Sequence, residues 1–323
     1  MHMTSTPVLL DADQVFRALP WQAAIETLRQ ALRDGLDPAS QPVRNSVKTA
    51  HGELLIMPAE FGGATGVKVL SVAPENAAHD KPLIQASYVL MDSLTLTPRA
   101  IVDGAALTTL RTPALAAVAV DALAEKSAHR LVVFGAGPQA EGHVHAIRAV
   151  RPIGEVRIVA RTDRSAQNLV DRLGTQGIAA SIGTANDVSH ADLVTAATSS
   201  AVPLFDSALL PERAVVTAVG SHHPARRELD SALLGRAVVV VEDVATAMRE
   251  AGDVIIAVAE GVLSEAELIP IGELLRSPLQ LGSRSGPAVF KSVGQGWQDL
   301  VLAQAAYSAV VDGSRAARHA DGL

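Results

Sequence analysis

The chain of 323 residues has no cysteine. That excludes disulfides, thiolate nucleophiles and cysteine-ligated metals. Aromatic residues supply only 3% of the chain while apolar residues supply 48%, so the core must be built from Ala, Val, Leu and Ile. Lysine is scarce, with five residues against twenty-two arginines. A formal net charge of −7 argues against a nucleic-acid partner. The segment Met1 to Pro7 has no cationic stretch followed by an apolar run. Neither a signal peptide nor a membrane span is expected, and a cytoplasmic location is the default. The ten histidines form no cluster with metal-ligand spacing; His143 with His145, and His222 with His223, come nearest. No internal repeat or low-complexity linker is visible, and the length suffices for two domains.

What is present begins with Arg130 to Phe134, a short apolar run. Gly135, Ala136, Gly137, Pro138, Gln139 and Ala140 follow, a Gly-x-Gly-x-x-Ala pattern that opens an amphipathic segment from Glu141 to Val150. Such a run reads as a buried parallel strand. Gly135 permits the tight turn, and Gly137 lets backbone approach a pyrophosphate. Ala140 keeps the helix close to the strand, and the helix N-terminus attracts phosphate charge. Alone the pattern is weak. Here it follows a strand, opens a helix and precedes a second strand at Glu155 to Ala160, which makes it a dinucleotide site.

The residue ending the second strand meets the adenosine ribose: an acid binds the 2′-hydroxyl of NAD, a nearby Arg accommodates the 2′-phosphate of NADP. This chain has Ala160, Arg161 and Thr162 there, without an acid. Arg161 and Thr162 offer a cation and a hydroxyl, so NADPH is the expected cofactor, ahead of NADH. Thr162 or Asp163 could equally cap the next helix with Arg161 merely solvated, and the two readings are compatible.

Before the glycine motif, residues 11 to 19 and 20 to 34 read as helices, the second with Trp21, Ile25, Leu28, Leu32 and Leu36 on one stripe. Strands are expected at Val43–Thr49, Glu53–Met57, Gly66–Ala73, Ile84–Met91 and Arg99–Val102, separated by turn signals, as an antiparallel sheet. Ala105 to Glu125 is a long Ala-rich helix. Strand and helix then alternate, with strands at Leu131–Phe134, Val156–Ala160, Ile178–Ile182, Leu193–Ala197, Ala214–Val219, Ala237–Val241 and Val289–Lys291. Gln298 to Val311 is an apolar helix that should pack. The fold class is α/β: a Rossmann doubly wound parallel sheet, plus a second α+β domain with a mainly antiparallel sheet.

Lys68 lies among Gly66, Leu70 and Val72 on one strand face. From the pattern an edge position is expected. The alternative is a buried ammonium, which needs a counter-anion such as a substrate carboxylate. Arg44 opens a strand and Arg111 sits in the long helix; guanidinium forks are the usual bidentate clamp for a carboxylate. His222 follows the fifth parallel strand, and ligands in open α/β sheets bind beyond the carboxyl ends of strands.

Together these pieces resemble the ornithine cyclodeaminase/μ-crystallin family over nearly the whole chain. The resemblance is carried by Met57–Pro58, Gly66 to Lys68, Leu110 to Thr112, Gly135 to Ala140, Arg227 to Asp230, Phe290 to Gly294 and Asp299. It implies a discontinuous dimerisation and substrate-binding domain, residues 1–113 and 298–323. A Rossmann domain, residues 114–297, is inserted between them, and the protein is a homodimer. It makes Arg44, Lys68 and Arg111 the binders of a substrate carboxylate. It adds Thr112, Val219 and Ser292 to the cofactor contacts, Ser292 near the nicotinamide.

The family holds a lyase, ornithine cyclodeaminase, together with reductases of cyclic imines and an alanine dehydrogenase. The cyclodeaminase pattern carries a glutamate where this chain has Leu55 and an aspartate where it has His222. It also carries an acid at the strand end where Ala160, Arg161 and Thr162 stand. The expected reaction is reduction of a cyclic 2-imino carboxylate: Δ1-pyrroline-2-carboxylate to L-proline, or Δ1-piperideine-2-carboxylate to L-pipecolate. Arg44 and Arg111 orient the carboxylate and Lys68 stabilises charge near the reacting carbon. The proton comes from His222 or from solvent. The lyase, an amino-acid dehydrogenase and a binding protein with little turnover stay open as alternatives.

Overall fold

The computed structural model describes residues 6–277 and 286–320. The first five residues, within the stretch read above as lacking a signal sequence, lie outside them. The chain forms two compact units: residues 1–111 with 295–323, and residues 112–294. The helices are α1 (Ala12–Ala18), α2 (Trp21–Arg33), α3 (Gly104–Leu123), α4 (Pro138–Arg148), α5 (Asp163–Thr175), α6 (Ser231–Leu234), α7 (Val244–Glu250), α8 (Gly252–Ala259), α9 (Ile271–Arg276) and α10 (Gly296–Ala320).

In the first unit, β1 (Val8–Leu10), β2 (Asn45–Thr49), β3 (Gly52–Phe61), β4 (Ala64–Val72), β5 (Ile84–Asp92) and β6 (Pro98–Asp103) form one sheet. Its order is β1-β6-β5-β4-β3-β2. All pairings are antiparallel except β1 with β6. β1 is unexpected; its three residues are too few to show alternation, and only pairing with Ala100–Val102 makes them a strand. β3 runs past Pro58, where the sequence reading stopped it. Glu60, two residues on, exchanges bonds with the Gln41 side chain rather than with β4. By strand period the Pro58 nitrogen faces the same open edge, where a missing N–H costs no ladder bond.

The apolar tail becomes α10, which packs on β3, β4 and β5 and on α1 and α2. Its first residue has to be glycine. A Cβ on Gly296 would lie 2.7 Å from the Pro58 carbonyl oxygen and 3.0 Å from that of Met57. α2 buries Ala24, Ile25, Leu28, Ala31 and Leu32, the expected stripe, with Trp21 half-buried at its rim. α3 is long and apolar enough to cross a membrane, but 78% of that window is buried inside the protein, so its apolarity serves the core.

In the second unit, β7 (Arg130–Phe134), β8 (Glu155–Val159), β9 (Ala180–Ile182), β10 (Leu193–Ala196), β11 (Val215–Ala218), β12 (Val238–Val241), β13 (Ile269–Pro270) and β14 (Ala288–Lys291) form a parallel sheet. The order is β13-β12-β14-β11-β10-β7-β8-β9. The chain leaves β7 toward β8 and β9, then returns to place β10 on the other side. The switch point therefore lies between β7 and β10, where such sheets take a dinucleotide. β13 escaped the sequence reading because two residues carry no periodicity.

The last turn of α3 is closed by a buried arginine. Arg151 donates to the carbonyls of Val120, Asp121, Ala124 and Glu125 at 2.8–3.2 Å and to Asp121 Oδ1 at 2.6 Å. A cation there answers both the unpaired carbonyls and the negative end of the helix dipole.

Candidate active site

Lys68 does not lie at an edge. β4 has β3 on one side and β5 on the other, and Lys68 is fully buried on the face covered by α10. The neighbours that looked like an edge pattern are core: Gly66 and Leu70 are buried with it. Nor does the ammonium wait for a substrate carboxylate as its counter-anion. Asp299, in the first turn of α10, accepts from Nζ at 2.8 Å through Oδ1 and at 2.7 Å through Oδ2, and Thr108 Oγ1 accepts at 3.1 Å. Both members of the ion pair are excluded from solvent. Burial holds the Lys68 ammonium down to about 8; Asp299 opposes that shift, and the charges of Arg111 and Arg44 add to it.

Arg111 and Arg44 thus act on the same point. Arg111 donates through Nη1 to Gln298 Oε1 at 2.8 Å, and its Nε stands 4.0 Å from Asp299 Oδ1. That Nε is buried and makes no hydrogen bond. A buried donor left without an acceptor costs about 1–3 kcal/mol, and an incoming carboxylate oxygen would remove that cost. Arg44 lies half-buried just before β2. Tyr88 pairs directly across from Lys68; its hydroxyl is buried without a partner. Burial first, then the Asp299 charge, pushes it well above the ordinary phenol range, so it stays protonated. Leu55 lies on the same face of β3 as Met57, the residue opposite Lys68, so that position brings no acid to the cluster.

In the second unit the glycine loop has the geometry a pyrophosphate needs. Gly135 has φ 120°, and a Cβ there would sit 2.5 Å from the Ala197 carbonyl oxygen. Gly137 is the N-cap of α4 with Pro138 as first helical residue, and a Cβ on Gly137 would meet nothing within 4 Å. The open space lies at a helix N-terminus, where a phosphate is attracted. Ala140 is fully buried, while Ala136 on the loop and Gln139 in the first turn of α4 are half-buried. The residues present fit a dinucleotide. Arg161 is exposed after β8, and Thr162 caps α5, its Oγ1 accepting from Ser165 N at 3.2 Å. Thr112 is buried in α3. Val219 follows β11, donating to Ala196 O at 2.9 Å.

His222 is exposed on the next loop, Nδ1 3.3 Å from Gly220 O. Ser292 does not offer its hydroxyl outward: Oγ donates to Glu242 Oε1 at 2.9 Å and the residue is buried. Glu242 also takes the N–H groups of Val293 and Gly294. Asp299, Gln298 and Glu242 were given no role from sequence. The signal was there: each is a polar residue in or next to an apolar run. Its meaning depended on partners far away along the chain.

The pattern of the ornithine cyclodeaminase/mu-crystallin family matches residues 6–314. A Δ1-pyrroline-2-carboxylate reductase of Bacillus cereus is 34% identical over 284 residues, covering 84% of this chain and 86% of that protein. The structure of Thermococcus litoralis Δ1-pyrroline-2-carboxylate reductase in complex with NADH and L-proline superposes with a TM-score of 0.88. It is 26% identical and covers 95% of this chain and 98% of that one. An archaeal alanine dehydrogenase dimer with bound NAD gives the same TM-score at 27% identity, covering 95% and 97%. The chain therefore belongs to the ornithine cyclodeaminase/mu-crystallin family.

Proposed function

We propose that the protein reduces a cyclic 2-imino carboxylate with a nicotinamide cofactor: Δ1-pyrroline-2-carboxylate to L-proline, with Δ1-piperideine-2-carboxylate to L-pipecolate as a second reaction. The observation that carries this is the grouping of buried Lys68 and Arg111 with half-buried Arg44 around Asp299, in which the buried Arg111 Nε makes no hydrogen bond. A buried arginine N–H without a hydrogen-bond acceptor, beside a buried ammonium, suits an incoming carboxylate. A ligand with a second ammonium group, such as ornithine, would find no acid at Leu55.

The residues of the Gly135–Ala140 segment, with Thr112, Val219 and the backbone at Ser292, hold the cofactor, the Ser292 hydroxyl itself being committed to Glu242. Bound there, NADPH supplies the hydride. Arg44 and Arg111 hold the substrate carboxylate and so orient the C=N carbon. The Lys68 charge stabilises that end of the substrate as the carbon is reduced. The imine nitrogen takes up one proton, and His222 is the proposed donor, an imidazole being suited to proton transfer near neutral pH. Arg161 and Thr162 receive the 2′-phosphate, which makes NADPH the preferred cofactor over NADH.

The assay follows absorbance with each cofactor and each imine. Loss of NADPH signal with Δ1-pyrroline-2-carboxylate is expected. The Arg161→Ala variant should lose about 10-fold or more of its preference for NADPH over NADH, the size of one charge-assisted contact. Turnover of ornithine with ammonia release and no net NADPH loss would sink the assignment. Turnover of pyruvate only when ammonia is added would replace it with an amino-acid dehydrogenase.

The protein is further proposed to be a homodimer through the face of the six-stranded sheet turned away from α10. Leu9, Val47, Val69 and Ile101 stand exposed there, an apolar surface of the kind that marks an interface. Sedimentation should give twice the 33.5 kDa chain mass, and Val69→Glu should give the monomer. A wild-type monomer would refute it.

A further inference from the structure

Four segments of the second unit meet at the carboxyl edge of its sheet around three buried ions. Glu228 is fully buried. Its Oε1 accepts from Thr198 N and Thr198 Oγ1, both at 2.7 Å, on the loop after β10. Its Oε2 accepts from Gly220 N at 2.7 Å and Ser221 N at 3.3 Å, on the loop after β11. Asp253, in the first turn of α8, accepts the N–H groups of Glu228 and Leu229 at 2.7 and 2.9 Å. Lys291, ending β14, stands 3.0 Å from Asp253 Oδ2 and donates to the Ser221 carbonyl at 2.6 Å. Hydrogen bonds and the Lys291–Asp253 ion pair close a ring: Glu228, Ser221, Lys291, Asp253, and back to Glu228.

We infer that Glu228 is a positioning residue for the nicotinamide half of the cofactor, acting through the two loops it ties together. The inference rests on the dinucleotide reading of this unit. Ligands of such sheets lie beyond the carboxyl ends of the strands at the switch point, and the two halves of a dinucleotide fall on its two sides. β7, β8 and β9 take the adenosine side, leaving the loops after β10 and β11 to border the other half. Those loops have no secondary structure of their own at Thr198 or at Gly220 to His222. What joins the two to each other is the Glu228 carboxylate, whose two oxygens face four donors. A carboxylate answers all four. An amide has one oxygen, and its NH2 would face two N–H groups.

The ring also explains why a charge is tolerated there. Burial raises the Glu228 carboxyl, with the Asp253 charge adding to it, while Lys291 and the Thr198 bonds oppose the rise. Lys291 from β14, Asp253 from α8 and Thr198 beyond β10 are the polar groups that set its protonation. Protonating Glu228 turns one acceptor into a donor and releases at least one loop contact. Cofactor affinity should therefore fall toward acid pH before the fold is lost.

The test compares wild type with Glu228→Gln, using NADPH and 2′,5′-ADP, which carries only the adenosine half. Glu228→Gln should raise KM for NADPH about 10-fold, the cost of one to two lost charge-assisted bonds. Affinity for 2′,5′-ADP should be unchanged, kcat should fall less than KM rises, and the acid-side loss of NADPH affinity should be gone. Thr198→Val, which removes one donor to Glu228 together with the acceptor of Ser200 N and leaves the other three donors to Glu228, should move the NADPH KM about 3-fold in the same direction; it carries the test if the glutamine variant does not fold. Wild-type NADPH affinity in the folded variants overturns the inference. So does an equal loss of NADPH and 2′,5′-ADP, which would make the ring a support for the whole unit. A wild-type enzyme that binds neither nucleotide refutes the cofactor reading itself, a different and separable result.

Discussion

Lys68→Met is expected to lower kcat/KM for the imine by about 1,000-fold, the loss seen when a preorganised charge is taken from a water-excluded site. The same change destabilises the protein. Asp299 keeps its place in the first turn of α10 but loses the ammonium 2.7 Å away, and removing one partner of a buried pair costs about 3–5 kcal/mol. The two effects separate in a double variant. Lys68→Met with Asp299→Leu removes both charges, and an apolar pair of similar volume is often neutral or stabilising relative to the ion pair. The double variant should recover most of the melting temperature and none of the activity. If activity returns with stability, Lys68 serves the fold alone and the catalytic reading is wrong. The pH profile supplies a second check. The Lys68 ammonium is held down to about 8 by burial, against the pull of Asp299. Wild-type activity should fall as pH rises through that value, because the charge is lost. With the Asp299 carboxylate replaced by an amide, burial, Arg111 and Arg44 act unopposed, so Asp299→Asn should move that fall to lower pH.

Acid lability of the second unit should trace in large part to His143. It is buried in α4, its Nδ1 2.7 Å from the Gln139 carbonyl. A carbonyl only accepts, so Nδ1 carries the proton and Nε2 is the free lone pair. That atom is buried with no hydrogen-bond partner. Protonating it would bury a charge with no acceptor, and burial holds the imidazole down to about 4, the bond to Gln139 opposing. The sign follows from linkage. Between about 4 and the usual value near 6.5, the unfolded chain binds a proton the folded one refuses, so stability is intact above 6.5 and falls with falling pH. Between about pH 7.5 and about pH 4.5 the loss should be about 2.5 kcal/mol. His143→Asn keeps an N–H for Gln139 and removes the titration. Urea unfolding at the two pH values should show wild type losing about 2.5 kcal/mol more than His143→Asn. Equal losses would mean that the ring is protonated or solvated in the folded state.

The first helices, the Ala-rich α3, the alternation that builds the parallel sheet and the glycine turn at Gly135 were legible because each is a local signal. Helix period, strand period, and a φ that suits glycine are written within a few residues of where they act. Short strands were not legible. Val8–Leu10 and Ile269–Pro270 have no period of their own and become strands only because a neighbour presents an open edge. Pro58 misled for the same reason: a proline ends a strand when its nitrogen faces a partner, and only the register shows that it faces none.

The buried ions mark the same divide more sharply. A lysine among apolar neighbours is a surface residue unless an anion meets it, and Asp299 lies 231 positions further along the chain. Glu228, Asp253 and Lys291 likewise find one another from three separate segments. Sequence by itself determined the two kinds of sheet, the glycine turn and the family, since these rest on periodicity and on motifs of fixed spacing. Tertiary structure alone decided which charges are buried and what each is paired with. Desolvation and Coulomb attraction depend on distance in space, and no local pattern encodes that distance.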